Sequence, residues 1–449
     1  MSTKIKPDLP GGFRDFLPKD MIARQNILTT VKNVFERFGF DPLETSIIQK
    51  KEVVTKGEDA FKMNIFKTGI VSGDQQNNYG EDLVLRPELT IGLARLSAKE
   101  KIIKPFKVYQ TGYVFRGERP QAGRFRGFTQ FDADIIGSNS PLSDAEIITI
   151  IYEVMSRLVG TEFVIKISNR RILNALADLI GISSEFERQQ IFRILDKQDK
   201  IGWSAVKKEL TTKTGLVEKN INLIKEFLSL SSSQSSVEEV LNELKKMFAS
   251  VPLGLAGVAD LEAVANLLLI NKLPTKNWQI NLSTIRGLGY YTGTVFETFL
   301  NKLITIGSVF AGGRYDNLVN KFSTAKMSAV GASVGIDRLF VALEKLNKIK
   351  KQNTVTQVLI ACLDKKFFSD YLLLAQKLRA ENICTQIYLG DDLSFKAQLA
   401  YALNLNIPFI LIMGEDEKKQ NVVSLKNLKT REQVLIPLSK LSAYFNKIL

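Results

Sequence analysis

The stretch FRGERPQAGRFRGF (115–128) carries four arginines, Arg116, Arg119, Arg124 and Arg126, and a single acid, Glu118. A guanidinium forks onto phosphate or carboxylate oxygens through paired N–H donors, so this density of arginine fits a polyanion. Arg116 and Glu118 stand two apart and share one face if the backbone is extended. There the acid can accept from an exocyclic amine while the arginine holds a phosphate. Phe125 and Phe128 offer flat surfaces for a base. The plainer alternative is a solvated basic hairpin with one salt bridge.

Three further segments could carry chemistry. In LVLRPELT (83–90), Arg86, Glu88 and Thr90 alternate after an apolar run, so Glu88 could bind an ammonium group that Thr90 orients; otherwise this is a charged strand end. STIRGLGYYTGTVFE (283–297) brings Arg286, Tyr290 and Tyr291 among three glycines. Its spacing is G-x-G-x-x-x-G, so the dinucleotide fingerprint is not met, and a glycine-softened turn delivering those side chains to a pocket is the better reading. AGGRYDNL and VGASVGIDRL (311–339) set a small-residue strand before a helix starting near Ile336. Arg338 would then sit at a helix N-terminus, where the dipole favours phosphate.

The chain has no histidine. That removes the commonest general acid–base residue near neutral pH and the commonest metal ligand, and with them Ser-His-Asp and Cys-His mechanisms. Chemistry must run on Arg, Lys, Asp, Glu, Tyr and bound ions. Cys362 and Cys384 form no CxxC pair, so neither a disulfide framework nor a zinc site is expected. A net charge of +14 suits a polyanionic partner such as nucleic acid without requiring one.

These residues need elements to position them. Apolar spacing predicts a helix over 19–38, stopped by Gly39. Strand-like runs follow at 82–86, 107–115 and 125–136, with a hairpin loop at Pro120 and Gly123; their alternation favours antiparallel pairing. Helical periodicity holds from 170 to about 271, interrupted by SLSSSQSS (229–236), read as a loop. Strands are expected again at 278–285, 294–300, 304–310 and 329–335, then a helix over IDRLFVALEKL. The polar stretch NKIKKQNT (347–354) reads as a linker unlikely to pack, and the apolar runs after it as a small α/β domain with a parallel or mixed sheet. No run of about 18 apolar residues exists, so no membrane span is predicted. The N-terminal MSTKIKPDLPGG has no apolar core of a signal peptide, which reads as cytoplasmic.

In this order, PGGFRD, LRPELT, FRGERPQAGRFRGFTQFDADIIG, RGLGYYTGTVFE, GGRYDNL and VGASVGIDRL resemble the histidyl-tRNA synthetase family of class II aminoacyl-tRNA synthetases. IPFILIMGEDEKKQNVVSLKNLKTREQ is similar to the family's anticodon-binding domain. The resemblance implies an α+β fold, an antiparallel sheet flanked by helices, with a helical insertion at about 171–270 and a C-terminal α/β anticodon-binding domain. It divides the chain into a catalytic domain at 1–346, a linker at 347–354 and the anticodon-binding domain at 355–449. It implies a homodimeric, ATP-dependent histidine–tRNA ligase of protein biosynthesis that uses Mg²⁺, L-histidine and tRNA-His, with no membrane partner and no metal-ligating residue.

By the same resemblance, Arg116 and Arg286 are catalytic. Glu88, Leu89, Thr90, Arg116, Gln130, Asp134, Arg286, Tyr290 and Tyr291 bind histidine, with Asp134 accepting from a ring N–H. Arg116, Glu118, Arg124, Phe128 and Arg338 bind ATP, and Arg119 and Gln121 face the tRNA acceptor end. Adenylation suits a chain without histidine, because the attacking carboxylate is already an anion and needs positioning and charge stabilisation rather than a base.

The sequence also departs from the family pattern. Asp134 stands where many members carry Glu, Gly289 replaces a common acid, and Ser46 replaces the usual first-motif proline. Gly117 and Thr129 occupy places where many relatives have histidine. A synthetase-like regulatory subunit of histidine biosynthesis is the alternative reading. Such paralogues usually lack the C-terminal domain and lose the ATP-binding arginines, whereas Arg116, Arg124, Arg286 and Arg338 are all present.

Overall fold

The computed structural model describes residues 4–55, 64–70, 82–121, 123–231, 235–285, 290–323 and 326–448. The chain divides into two compact units, Met1–Arg14 with Ile27–Ile349 and Asp15–Asn26 with Lys350–Leu449. Helix α1 (Pro18–Arg37) ends where Gly39 takes φ +74°, a left-handed turn that glycine adopts without a Cβ clash.

In the first unit, strands β1 (Asp41–Pro42) and β2 (Ile48–Lys50) precede α2 (Lys51–Thr55), β3 (Lys67–Thr68) and β4 (Leu83–Leu85). Then come α3 (Thr90–Lys99), the long hairpin β5 (Phe106–Phe115) and β6 (Gly127–Ile136), α4 (Pro141–Val159) and β7 (Phe163–Asn169). Helices α5 (Arg170–Leu179), α6 (Glu185–Leu195), α7 (Gln198–Thr214), α8 (Glu218–Ser229), α9 (Val237–Met247) and α10 (Pro252–Ile270) follow. The chain then returns through β8 (Trp278–Ile280), β9 (Thr294–Leu300), β10 (Phe310–Arg314), β11 (Ala329–Gly335) and α11 (Ile336–Lys345).

Eight of these strands form one sheet, ordered β1-β5-β6-β11-β10-β9-β7-β8, antiparallel except for the β1–β5 and β7–β8 pairs. β6 lies in the interior of the sheet, and nearly all of its side chains are buried on both faces. Phe35 of α1 packs edge-on against Phe131 at 5.1 Å, closing one face. The acids of FDAD are thereby carried inside the protein.

One strand differs from expectation. Residues 304–306 form a single 3₁₀ turn closed by Gly307 at φ +84°, and the strand begins at Phe310. β-branched content favoured ITIGSVF over FAGGR. What makes FAGGR the strand is close approach: a Cβ at Gly312 would lie 2.1 Å from the carbonyl oxygen of Gly331.

In the helical region, Ser236 ends the predicted serine-rich loop as an N-cap. Its hydroxyl accepts from the Glu239 amide, and the Glu239 carboxylate accepts from the Ser236 amide at 2.8 Å, a capping box. Residues 232–234 of that loop lie outside the described residues. Against the expectation of no such apolar run, α10 is long and apolar enough to cross a membrane by length and composition. Its Asp260 and Glu262 pair with Arg171 and Lys245 at 2.9 and 2.8 Å, and it packs against α4, α5, α9 and β7 as a core helix of this region.

The second unit has β12 (Val358–Ile360), α12 (Phe368–Ala380), β13 (Thr385–Ile387), α13 (Phe395–Asn404), β14 (Phe409–Ile412), α14 (Glu415–Lys419), β15 (Val422–Asn427), β16 (Gln433–Pro437) and α15 (Leu441–Ile448). Its sheet is mixed, ordered β13-β12-β14-β15-β16, parallel through β13, β12 and β14 and antiparallel beyond. The stretch 347–354 is irregular but does pack. Lys351 pairs with Asp20 at 2.8 Å, and Asn353 donates to the carbonyl of Asn404.

Candidate active site

The β5–β6 hairpin runs in register from Phe115 opposite Gly127 to Val108 opposite Asp134. Its connection closes through a two-way backbone pair between Gln121 and Arg124, with Gly123 at φ +74°. β6 pairs on its other edge with β11, setting Asp134 opposite Gly331 and Asp132 opposite Ser333. Over these strands lies a cavity of about 350 Å³, walled by Glu88, Thr90, Arg116, Glu118, Arg124 and Phe128 among others. Gln130, Asp132, Asp134, Tyr290, Tyr291, Tyr315 and Arg338 also line it.

One group of these residues is acidic and aromatic. Glu88, Asp132 and Asp134 are 3%, 2% and 2% exposed. The Tyr290 hydroxyl donates to Glu88 Oε2 at 3.3 Å, and the Tyr315 hydroxyl donates to Asp134 Oδ1 at 2.6 Å. Tyr290 meets Tyr291 and Tyr315 edge-on at 5.1 and 6.0 Å. Burial raises all three acids from their usual values. Asp134 is pushed up to about 7, the Tyr315 hydrogen bond pulling it back. Asp132 rises well above its usual value, with Asp134 adding repulsion, while Glu88 is held back by Arg116, Tyr290 and Lys321.

The second group is basic. Arg116 is fixed by donating Nε–H to the Pro87 carbonyl at 2.9 Å, and its guanidinium lies 5.3 Å from the centre of the Phe128 ring. Arg338 sits in the first turn of α11, with Nη1 donating to the Ser308 carbonyl at 2.5 Å. Its side chain runs beside Gly123 of the hairpin turn. Two guanidiniums, an exposed Glu118 and a Phe128 ring make a surface able to hold a nucleoside phosphate.

Other expected residues lie elsewhere. Leu89 is fully buried and does not line the cavity, since its side chain packs at the start of α3. Alternation in LRPELT does not persist: β4 stops at Leu85 and Thr90 already opens a helix. Arg86 instead turns into the protein, donating to the carbonyls of Tyr113 and Thr45 at 2.9 and 2.7 Å. Arg126 donates to the carbonyls of Glu118 and Gly11. Arg119 and Gln121 are exposed at the hairpin tip. Arg286 and Gly289 lie outside the described residues.

Sequence reading passed over Asp132 and Tyr315. Asp132 alternates with Gln130 and Asp134 in TQFDAD, a period-2 signal that was there to use. Tyr315 in GGRYD gave no such signal, because its role depends on where β10 ends.

Residues 12–339 match a family model described as histidyl-tRNA synthetase, and residues 357–448 one described as anticodon binding domain. The chain is 39% identical over 432 residues to the histidine–tRNA ligase of Wolinella succinogenes, covering 96% of this chain and 95% of the other. It is 38% identical to that of Helicobacter hepaticus, covering 96% of each. Among solved structures, the histidyl-tRNA synthetase of Nostoc sp. PCC 7120 superposes with a TM-score of 0.87 at 31% identity, over 99% of this chain and 100% of that one. A protein described as an ATP phosphoribosyltransferase regulatory subunit/histidyl-tRNA synthetase from Bacillus halodurans superposes at 0.74 over 92% of this chain and 100% of its own. At 22% identity that likeness concerns the fold alone. With a family match over most of its length and ligases at this identity end to end, the chain belongs to the histidyl-tRNA synthetase family.

Proposed function

We propose that the cavity activates L-histidine with ATP, forming histidyl-adenylate and pyrophosphate, and then passes histidine to the 3′-terminal adenosine of tRNA-His. The observation that carries this reading is the division of one cavity into a buried acid–tyrosine group and an arginine-lined group. Glu88 would take the substrate ammonium with Thr90, and Arg116 its carboxylate together with the α-phosphate. Gln130, Tyr290, Tyr291 and Asp134 would surround the ring. Glu118 would meet the adenine amine, Phe128 its face, and Arg124 and Arg338 the outer phosphates. Arg286 would stabilise the transition state.

Such a site needs no protein base. Its contribution is to hold an anionic nucleophile against a charged phosphate and to neutralise the charge that develops. Among the described residues no group of three Asp, Glu or Cys side chains is gathered as a metal cage. That donor set fits Mg²⁺ carried on phosphate oxygens, and Glu297 is the cavity carboxylate that would hold it. The bound ion would neutralise phosphate charge.

The domain reading is a catalytic domain at 1–346, a linker at 347–354 and an anticodon-binding domain at 355–449. Arg119 and Gln121 would reach the acceptor end of tRNA, and the working form would be a cytoplasmic homodimer without a membrane partner. The test is ATP–pyrophosphate exchange with each amino acid in turn, without tRNA. Exchange that depends on histidine alone supports the reading. No exchange from folded protein with Mg²⁺ present would favour a regulatory paralogue.

A further inference from the structure

The motif PGGFRD takes no part in the chemistry above, yet residues 10–14 lie along the hairpin that carries Arg116, Glu118 and Arg124. The Gly12 carbonyl accepts from the Arg126 amide at 2.9 Å, and the Gly11 carbonyl from the Arg126 guanidinium at 3.1 Å. Gly12 holds φ +90°, and a Cβ on it would meet both Pro120 and the Arg126 side chain at 2.9 Å. Pro120 and Arg126 flank the turn at Gly123, so Gly12 is wedged across its neck. One residue on, the Phe13 ring covers Gly127, where a Cβ would stand 2.8 Å from it, and meets Phe66 edge-on at 5.8 Å.

Arg14 ends the segment between two rings. Its guanidinium lies 5.2 Å from the centre of Phe125 and 5.9 Å from that of Phe340, distances at which a cation is drawn to a ring. Phe125 directly follows Arg124 and lines the cavity, whereas Phe340 is a core residue of α11 two positions after Arg338. Two other contacts join the hairpin to α11. The Asp337 carboxylate accepts from the Thr129 amide at 2.6 Å, well below the turn, and the stem of Arg338 runs beside Gly123. The second of these is made by a cavity side chain itself. Arg14 does not line the cavity, and it joins the elements that bring Arg124 and Arg338 there.

We propose that residues 10–14 form a strap that positions the hairpin for ATP, with Arg14 as the positioning residue that holds Arg124 at its working distance from Arg338. This rests on the functional reading above, in which those two arginines take the outer phosphates. Two arginines gripping one triphosphate need a fixed spacing, because a hairpin tip left to move binds ATP only in the fraction of molecules that place it correctly. Asp134 stands opposite Val108 at the hairpin's far end, so the histidine side of the cavity does not share that dependence.

Pyrophosphate exchange with the intact protein, read as separate KM values for ATP and histidine, tests this. Arg14→Ala should raise the KM for ATP about three- to tenfold, which two cation–π contacts supply when part of their worth reaches binding. The KM for histidine and kcat should stay within about twofold. Arg14→Lys keeps the charge, loses the planar stacking and should restore part of the loss. Gly12→Ala acts at the other end of the strap and should give the same ATP-specific rise; where Arg14→Ala does not fold, it decides the matter.

If Arg14 served the fold alone, its loss would lower the thermal midpoint or the fraction of active sites and leave both KM values alone. That result overturns the inference, as do equal rises for the two substrates. Should the unaltered protein exchange with no amino acid, the functional reading fails by itself. Calorimetric titration with ATP and Mg²⁺ then decides the strap: weaker binding by Arg14→Ala supports it, and equal binding overturns it.

Discussion

The Tyr315 hydroxyl donates to Asp134 Oδ1 at 2.6 Å across the intervening strand β11. The contact is possible because Gly331 lies opposite Asp134: a Cβ there would stand 1.9 Å from Oδ1. One carboxylate oxygen is thereby fixed by Tyr315, while Oδ2 has no hydrogen-bond partner among the described residues.

Tyr315→Phe removes that donor while keeping the ring's packing against Tyr290. The hydrogen bond lowers the Asp134 pKa, so its loss should move the group above its present value of about 7. Loss of one buried hydrogen bond to a charged group is worth about 1.5–3 kcal/mol. Because the bond is already made in the free protein, only part of that loss reaches binding, and the KM for histidine should rise by up to about tenfold, with kcat changed far less and the KM for ATP unmoved. Equal losses for both substrates would mean that Tyr315 acts through general packing.

Arg286→Ala tests the transition-state role given to a residue outside the described part. Removing one preorganised donor costs about 10²–10³-fold in kcat elsewhere, and the same is expected in pyrophosphate exchange. An unchanged rate in a folded variant would remove Arg286 from the mechanism.

The ion pair between Arg314 at the end of β10 and Asp144 in the first turn of α4 is almost fully buried. Arg314 also donates to the carbonyls of Ser138 and Ser140 at 2.8 and 3.2 Å, locking the segment that presents Tyr315. Asp144→Ala leaves the buried guanidinium only the looser Asp316 carboxylate at 3.6 Å and should cost about 2–4 kcal/mol of stability, below the full penalty for an unpaired buried charge. Urea unfolding measures this. A loss under about 1 kcal/mol would show that the segment is held by packing instead.

Much of this was legible in sequence because the signals were local. The hairpin carrying Arg116 and Glu118 announced itself by two strand-like runs around Pro120 and Gly123, and α11 by its periodicity after a run of small residues. What escaped depended on pairing partners far along the chain. Leu89 followed its neighbours in a motif, yet the turn into α3 sends its side chain to the core. Gly312 and Gly331 read as weak strand formers until their neighbours showed why no Cβ fits. Asp132 looked like one more strand residue because its place beside Asp134 in the cavity wall depends on how β6 sits in the sheet.

The absence of histidine from all 449 residues has a direct consequence for synthesis of the protein. The message for these 449 residues asks for no charged tRNA-His, so histidine scarcity does not halt elongation through them. Drift in codon usage would give the same composition, but the consequence holds whatever the cause. At Gly117 the residue is also constrained by space, since a Cβ would lie 2.8 Å from the Asn64 side chain, so this chain could not regain histidine there without moving that neighbour. In a reconstituted translation system free of histidine and of other histidine–tRNA ligases, the unaltered message should yield full-length protein. The same message with a hexahistidine extension should stall at the added codons. Adding histidine and tRNA-His to the first reaction should then start synthesis of a histidine-containing reporter, because the new protein supplies the missing activity. Full-length product without reporter synthesis, from folded protein with ATP and Mg²⁺ present, would count against the ligase reading itself.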